Sequence, residues 1–106
     1  MASILVVDDK DSMRNMLIQT LEAEGYEVDV ASDGKAGVDK SKEKEFDVVL
    51  TDLKMPGIDG LEILSKIKNE NPETAVILMT AYGTVENAVE AMKNGAFDFI
   101  TKPFDT

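Results

Sequence analysis

Asp8, Asp9, Asp52, Thr80 and Lys102 each stand where a short apolar run gives way to polar sequence. Carboxylates gathered in one cleft repel one another unless a positive charge joins them, and a hard divalent cation supplies that charge. The chain contains no His and no Cys, so its available ligands are oxygens, which favour Mg2+, with Mn2+ as the alternative. A carboxylate is also a recognised nucleophile toward phosphoryl groups, giving an aspartyl phosphate. Phosphoryl transfer asks a protein for positioning and charge neutralisation, which a metal, the Lys102 ammonium and the Thr80 hydroxyl can supply. Asp52 is the best nucleophile because it ends the strand that reads as central, whereas the adjacent acids Asp8 and Asp9 suit metal ligation. Taken singly, each residue has a plainer reading, and Asp52 alone would pass for a turn cap. The functional reading rests on their convergence.

The elements that would bring them together follow from hydrophobic pattern. Ser3 to Val7 is an apolar run without helical spacing and reads as a buried strand. Met13, Met16, Leu17 and Leu21 share one helical face, with Asp11 or Ser12 as N-cap and Gly25 as the stop. Glu27 to Ala31 predicts a second strand. Asp33-Gly34 then turns the chain into a helix running to about Glu45, whose inner face of Ala36, Gly37, Val38 and Ser41 is small and buries little. Val48 to Asp52 is a third strand rich in β-branched residues, closed by Pro56-Gly57. Leu61, Leu64, Ile67 and Lys68 predict a helix with Asp59 near its N-terminus and Asn71-Pro72 at its end. Ala75 to Thr80 is a fourth strand, followed by a helix carrying Val85, Ala88, Val89 and Met92 at i, i+3, i+4, i+7, with Thr84 as N-cap. Phe97 to Thr101 is a fifth strand. Strict alternation of strand and helix predicts an α/β fold, a doubly wound parallel sheet with helices on both faces. In such sheets ligands bind beyond the carboxyl ends of the strands. That is where all five polar residues fall.

Composition narrows the functions available. A chain of 106 residues is one domain with one core. With 21 acidic against 11 basic residues the net charge is -10, which repels phosphate backbones and argues against direct nucleic-acid binding. No apolar run reaches the length of a membrane span and no basic-apolar leader opens the chain, so a soluble protein with no membrane partner is expected. The absence of Cys suits a cytoplasmic location.

Val6-Val7-Asp8-Asp9, Leu50-Thr51-Asp52-Leu53-Lys54-Met55-Pro56-Gly57, Met79-Thr80-Ala81 and Phe99-Ile100-Thr101-Lys102-Pro103-Phe104 together resemble the receiver domain of bacterial two-component response regulators. The match runs in order over nearly the whole chain. The resemblance implies a five-stranded sheet of order 2-1-3-4-5, with Asp52 taking phosphate from a sensor histidine kinase. It implies that Asp9 and Asp52 hold Mg2+ directly, Asp8 through water, and the Lys54 backbone carbonyl completes the protein's share of the metal site. Thr80, the Ala81 amide and Lys102 would hold the phosphate oxygens, and Thr80 and Phe99 would move together as the switch. A cis peptide before Pro103 is implied as well. The domain would be a phosphoacceptor switch with only self-catalysed phosphorylation and dephosphorylation, not an enzyme in the turnover sense. The run from Gly95 to Phe104 is similar to receivers fused to AAA+ transcriptional activators of the nitrogen-regulation type, which implies an output domain controlling transcription.

Receivers of this family continue into a fifth helix, whereas this chain ends at Thr106. A receiver truncated before its final helix is therefore expected. With right-handed crossovers only the first helix would cover one sheet face, leaving strands three to five bare there and favouring a dimer or a domain-swapped oligomer. A small phosphatase of the haloacid dehalogenase type uses the same residue kinds, but its nucleophile ends strand one in an Asp-x-Asp pattern. Here that strand ends Asp8-Asp9-Lys10-Asp11. A purely structural interaction domain is the third reading, and no key position is missing to favour it.

Overall fold

Parallel pairing of short β-branched runs organises the molecule. The computed structural model describes residues 2–81 and 85–101. Along it run β1 (Ser3–Val7), α1 (Asp11–Ala23), β2 (Glu27–Ala31), α2 (Gly34–Glu43), β3 (Val48–Asp52), α3 (Gly60–Glu70), β4 (Ala75–Thr80), α4 (Val85–Lys93) and β5 (Asp98–Thr101). The strands form one parallel sheet in the order β2-β1-β3-β4-β5, so the doubly wound α/β topology expected from the alternation is the one observed. Register is continuous across the middle: Val7 lies beside Thr51, Asp52 beside Met79 and Thr80 beside Thr101. Thr84, Lys102, Pro103 and Phe104 lie outside the described residues.

Alternation along each strand sends its side chains to two cores. On one face Leu5, Val7, Val49, Val76 and Leu78 pack with Val38 of α2, Ile63, Leu64 and Ile67 of α3, and Ala91 of α4. On the other, Ile4, Val6 and Met79 pack with Leu17, and Met13, Met16 and Leu21 of α1 add partly buried surface. Val48, Leu50 and Ile100 on this second face are only partly buried. Among the described residues no second helix joins that core. Among the described residues, large apolar side chains are also exposed at Tyr26, Val85, Val89, Met92 and Phe97, beside the partly open face expected on strands three to five.

Several local expectations change. Asp11 is the first helical residue of α1 rather than its cap, the cap position falls on Lys10, and no side-chain cap bond forms there. Helix α2 ends at Glu43, with Asp33 as a true N-cap accepting from the Ala36 amide at 2.8 Å. Its small face serves close approach: a Cβ on Gly37 would lie 2.7 Å from Val7 Cγ2. In α3, Ile63 joins the buried face. Lys68 instead turns its ammonium to the carbonyls of Pro72 and Thr74, at 2.7 and 2.8 Å. Helix α4 forms where the spacing predicts it, and its apolar stripe faces away from the core. Val85 is 80 % exposed, Val89 and Met92 are exposed too, and Ala91 is the buried residue. A small side chain lets the helix settle close to the sheet, and the longer apolar stripe turns outward. Strand β5 starts at Asp98, and Phe97 before it is exposed.

The amino edge of the sheet is stitched by polar bonds. Asp47 accepts from the Ser3 amide at 2.8 Å, Thr74 Oγ1 donates to the Phe46 carbonyl at 2.7 Å, and Asn71 Nδ2 donates to the Ser41 carbonyl at 3.1 Å. Lys44 Nζ reaches Glu27 at 2.6 Å, lies 3.8 Å from Asp29, and sits 5.2 Å from the Phe46 ring centroid. The hydrogen bond to Lys44, then its charge, holds the Glu27 carboxyl below its ordinary 4.5. The bond to Glu27 correspondingly holds the Lys44 ammonium above its ordinary 10.5. Stabilisation from a lowered carboxyl is present above its unfolded value and is lost as pH falls through the folded one; for a raised ammonium it is lost as pH rises through the folded one. Lys44→Met is therefore expected to lower the melting temperature slightly at about pH 7, with the gap closing in acid as pH falls through the lowered Glu27 value. Parallel melts check this, and an undiminished gap in acid would rule the ion pair out as its cause.

Candidate functional site

Strands β1 and β3 are neighbours, and both run directly into an acid at their carboxyl ends. Asp8 is wholly buried, Asp52 is 6 % exposed and Asp9 is exposed. One oxygen from each of the three carboxylates lies within 4.8 Å of the others. Burying two carboxylates side by side is costly unless charge is matched. An all-carboxylate set of this spacing, open at Asp9, fits a hard cation that keeps part of its hydration. The donor set therefore suits the expected Mg2+ or Mn2+.

Hydrogen bonds hold Asp8 and the chain just beyond Asp52. The Asp8 amide donates to the Ala31 carbonyl at 3.2 Å, and Asp8 Oδ1 accepts from the Lys10 amide at 2.9 Å, a tight local turn. Arg14 Nη1, from the first turn of α1, donates to the Asp8 carbonyl at 2.6 Å, and its Nη2 pairs with Asp11. Beyond Asp52, the Leu53 amide donates to the Met79 carbonyl at 2.7 Å, and the Gly60 amide to the Leu53 carbonyl at 2.8 Å. Asp59 caps α3 by accepting from the Glu62 amide at 2.9 Å. Gly60 is required there, since a Cβ would lie 2.6 Å from the Asp52 carbonyl oxygen and 2.7 Å from Leu53 Cα.

Thr80 ends β4 one step past the residue beside Asp52, and it is buried. Ala81 follows it and is exposed. The Lys54 side chain is exposed in the β3–α3 loop. Phe99 lies beside Leu78 and is partly buried against the core shared by α2, α3 and α4. The described structure thus gathers Asp8, Asp9 and Asp52, with Thr80 at the adjacent strand end, while Lys102 lies outside the described residues. Arg14 and Gly60 were not singled out from sequence. Arg14 had only a weak signal, an i, i+3 pairing with Asp11, and Gly60 one no stronger, a glycine beside an acid expected near the helix N-terminus.

This is a flavodoxin-like α/β domain with a cation-ready acidic cluster at the carboxyl edge of its central strands. Residues 4–106 match the family model for the response regulator receiver domain, and the chain belongs to that family. Receiver domains are phosphoacceptor switches of two-component signalling and interact with histidine kinases. The chain is 47% identical over 102 residues to the transcriptional regulatory protein ZraR of Klebsiella oxytoca, covering 96% of this chain and 23% of that protein. It thus spans about a quarter of that relative's length. A solution structure of the beryllofluoride-activated NtrC4 receiver domain dimer superposes with a TM-score of 0.93 at 41% identity, covering 99% of this chain and 87% of that one. A response regulator of Burkholderia pseudomallei, with a phosphorylated aspartic acid, a calcium ion and citrate, superposes at 0.93 with 26% identity, covering 99% and 62%. Among the described residues no helix is long and apolar enough to cross a membrane.

Proposed function

We propose that Asp52 accepts a phosphoryl group from a histidine kinase, and that the resulting phosphoaspartate switches a surface controlling transcription. The observation that carries this reading is the meeting of three carboxylates, two of them buried, at one strand edge. Asp8, Asp9 and Asp52, with the Lys54 carbonyl, are the residues that would hold Mg2+. Bound there, the cation neutralises the charge that builds on the transferring group. An Asp52 oxygen attacks phosphorus, the bond to the donor imidazole breaks, and the imidazole leaves with a proton. Thr80, the Ala81 amide and Lys102 take the phosphate oxygens, and Thr80 and Phe99 shift together. Hydrolysis by water returns Asp52.

The match to about a quarter of a transcriptional regulator supports reading this receiver as the input part of a longer protein. A cytoplasmic location accords with a kinase donor. The charge of -10 argues against direct DNA contact. Association with a second copy belongs to the same reading, and the outward stripe of Val85, Val89 and Met92 supports it better than the sheet face does.

Incubation with acetyl phosphate and Mg2+, followed by intact mass and borohydride trapping, tests the proposal. One phosphoryl group mapping to Asp52 is expected. An unlabelled chain, or label on another residue, overturns it.

A further inference from the structure

We propose that Arg14 is a positioning residue that sets the geometry of the Asp8-Asp9 pair for cation binding, an inference that rests on the function proposed above. The turn from β1 to α1 is only Asp8-Asp9-Lys10, and α1 has no side-chain N-cap to hold it. The Asp8 backbone is instead gripped from both sides. Its amide bonds the Ala31 carbonyl at 3.2 Å, and its carbonyl accepts from Arg14 Nη1 at 2.6 Å.

That carbonyl belongs to the peptide joining Asp8 to Asp9. Because a peptide unit is planar, pinning its oxygen orients the Asp9 amide and Cα as well. The relative direction of the two carboxylates is thereby set from α1. The Arg14 side chain is 15 % exposed, whereas that of Asp11 is 85 % exposed. An ion pair with so open a partner contributes little. The weight therefore falls on the charge-assisted bond to Asp8, made by a guanidinium that is itself mostly out of water.

Positioning and bare charge predict opposite signs. Removing a cation beside an acidic cluster should tighten Mg2+ binding if only Coulomb attraction matters. Losing a group that orients the ligands should weaken it, by about tenfold on the scale found for outer-sphere partners of metal ligands.

The test is a calorimetric Mg2+ titration of the whole chain at fixed ionic strength, with amide hydrogen exchange measured on the metal-free protein. Arg14→Met is expected to raise the Mg2+ Kd about tenfold and to speed exchange of the Lys10 amide, which bonds Asp8 Oδ1. Arg14→Lys, which keeps the charge but not the planar fork, should fall between wild type and Arg14→Met. It carries the test should the Met variant lose its fold. Asp11→Asn should change Kd by less than about twofold. Unchanged or tighter Mg2+ binding in a folded Arg14→Met, or in Arg14→Lys where that variant carries the test, overturns the proposal. Wild-type protein that binds no Mg2+ overturns the functional reading instead, and the Lys10 exchange rates still report whether Arg14 orders the turn.

Discussion

Asp52→Asn is expected to take up no phosphoryl group from acetyl phosphate and, without metal, to melt above the wild type. The substitution keeps shape and removes the nucleophilic oxygen pair, so labelling falls to background while folding is preserved. Stability rises because Asp8 and Asp52 are buried with carboxylate oxygens within 4.8 Å. At 4.8 Å and an effective dielectric of ~20, two unit like charges repel by about 3.5 kcal/mol. Relieving even about 1 kcal/mol raises the melting temperature by about 4–8 °C for a domain of this size. Added Mg2+ should reverse the order, since it stabilises the form holding all three carboxylates. Intact mass and paired melts with and without Mg2+ read both effects. Equal labelling of the variant, or a lower metal-free melting temperature, contradicts the account.

Gly60→Ala is the second large effect, and here two opposing terms must be weighed. In an open helix the change would stabilise by up to about 1 kcal/mol. At Gly60 the added carbon meets main-chain atoms, the Asp52 carbonyl oxygen at 2.6 Å and Leu53 Cα at 2.7 Å. Main chain cannot swing aside as a flexible side chain can. Overpacking of this kind costs about 1–3 kcal/mol, so the clash prevails. A melting temperature lower by about 5–15 °C follows. Because the displaced backbone belongs to Asp52 and Leu53, uptake of phosphate should slow as well. A variant that melts at or above the wild-type temperature would contradict the close approach.

Strand limits at β1, β2, β3 and β4 were readable from sequence because short β-branched runs between polar turns have few alternatives. The sheet order followed once strand and helix alternated. The acidic cluster was readable for a related reason: acids that end neighbouring parallel strands must lie close together. The orientation of α4 was not readable. Periodicity identifies an apolar stripe, but it does not reveal whether the sheet takes that stripe or the smaller residue beside it, and here Ala91 is taken. Arg14 escaped notice because its partner is a main-chain carbonyl six residues back. Such a bond leaves no pattern in residue types. The start of α1 was misread for the same reason, since its turn is closed through Asp8 and Arg14 rather than by a cap residue.

The polar stitching along the amino edge, at Ser3 and Asp47, Phe46 and Thr74, and Ser41 and Asn71, gives the sheet a fixed baseline. The acids sit at the opposite rim. A disturbance entering at that rim is expected to move the carboxyl ends of β1, β3 and β4 more than their stitched amino ends. These three strands would then behave like teeth of a comb clamped along its spine, which can be plucked while the spine keeps their spacing.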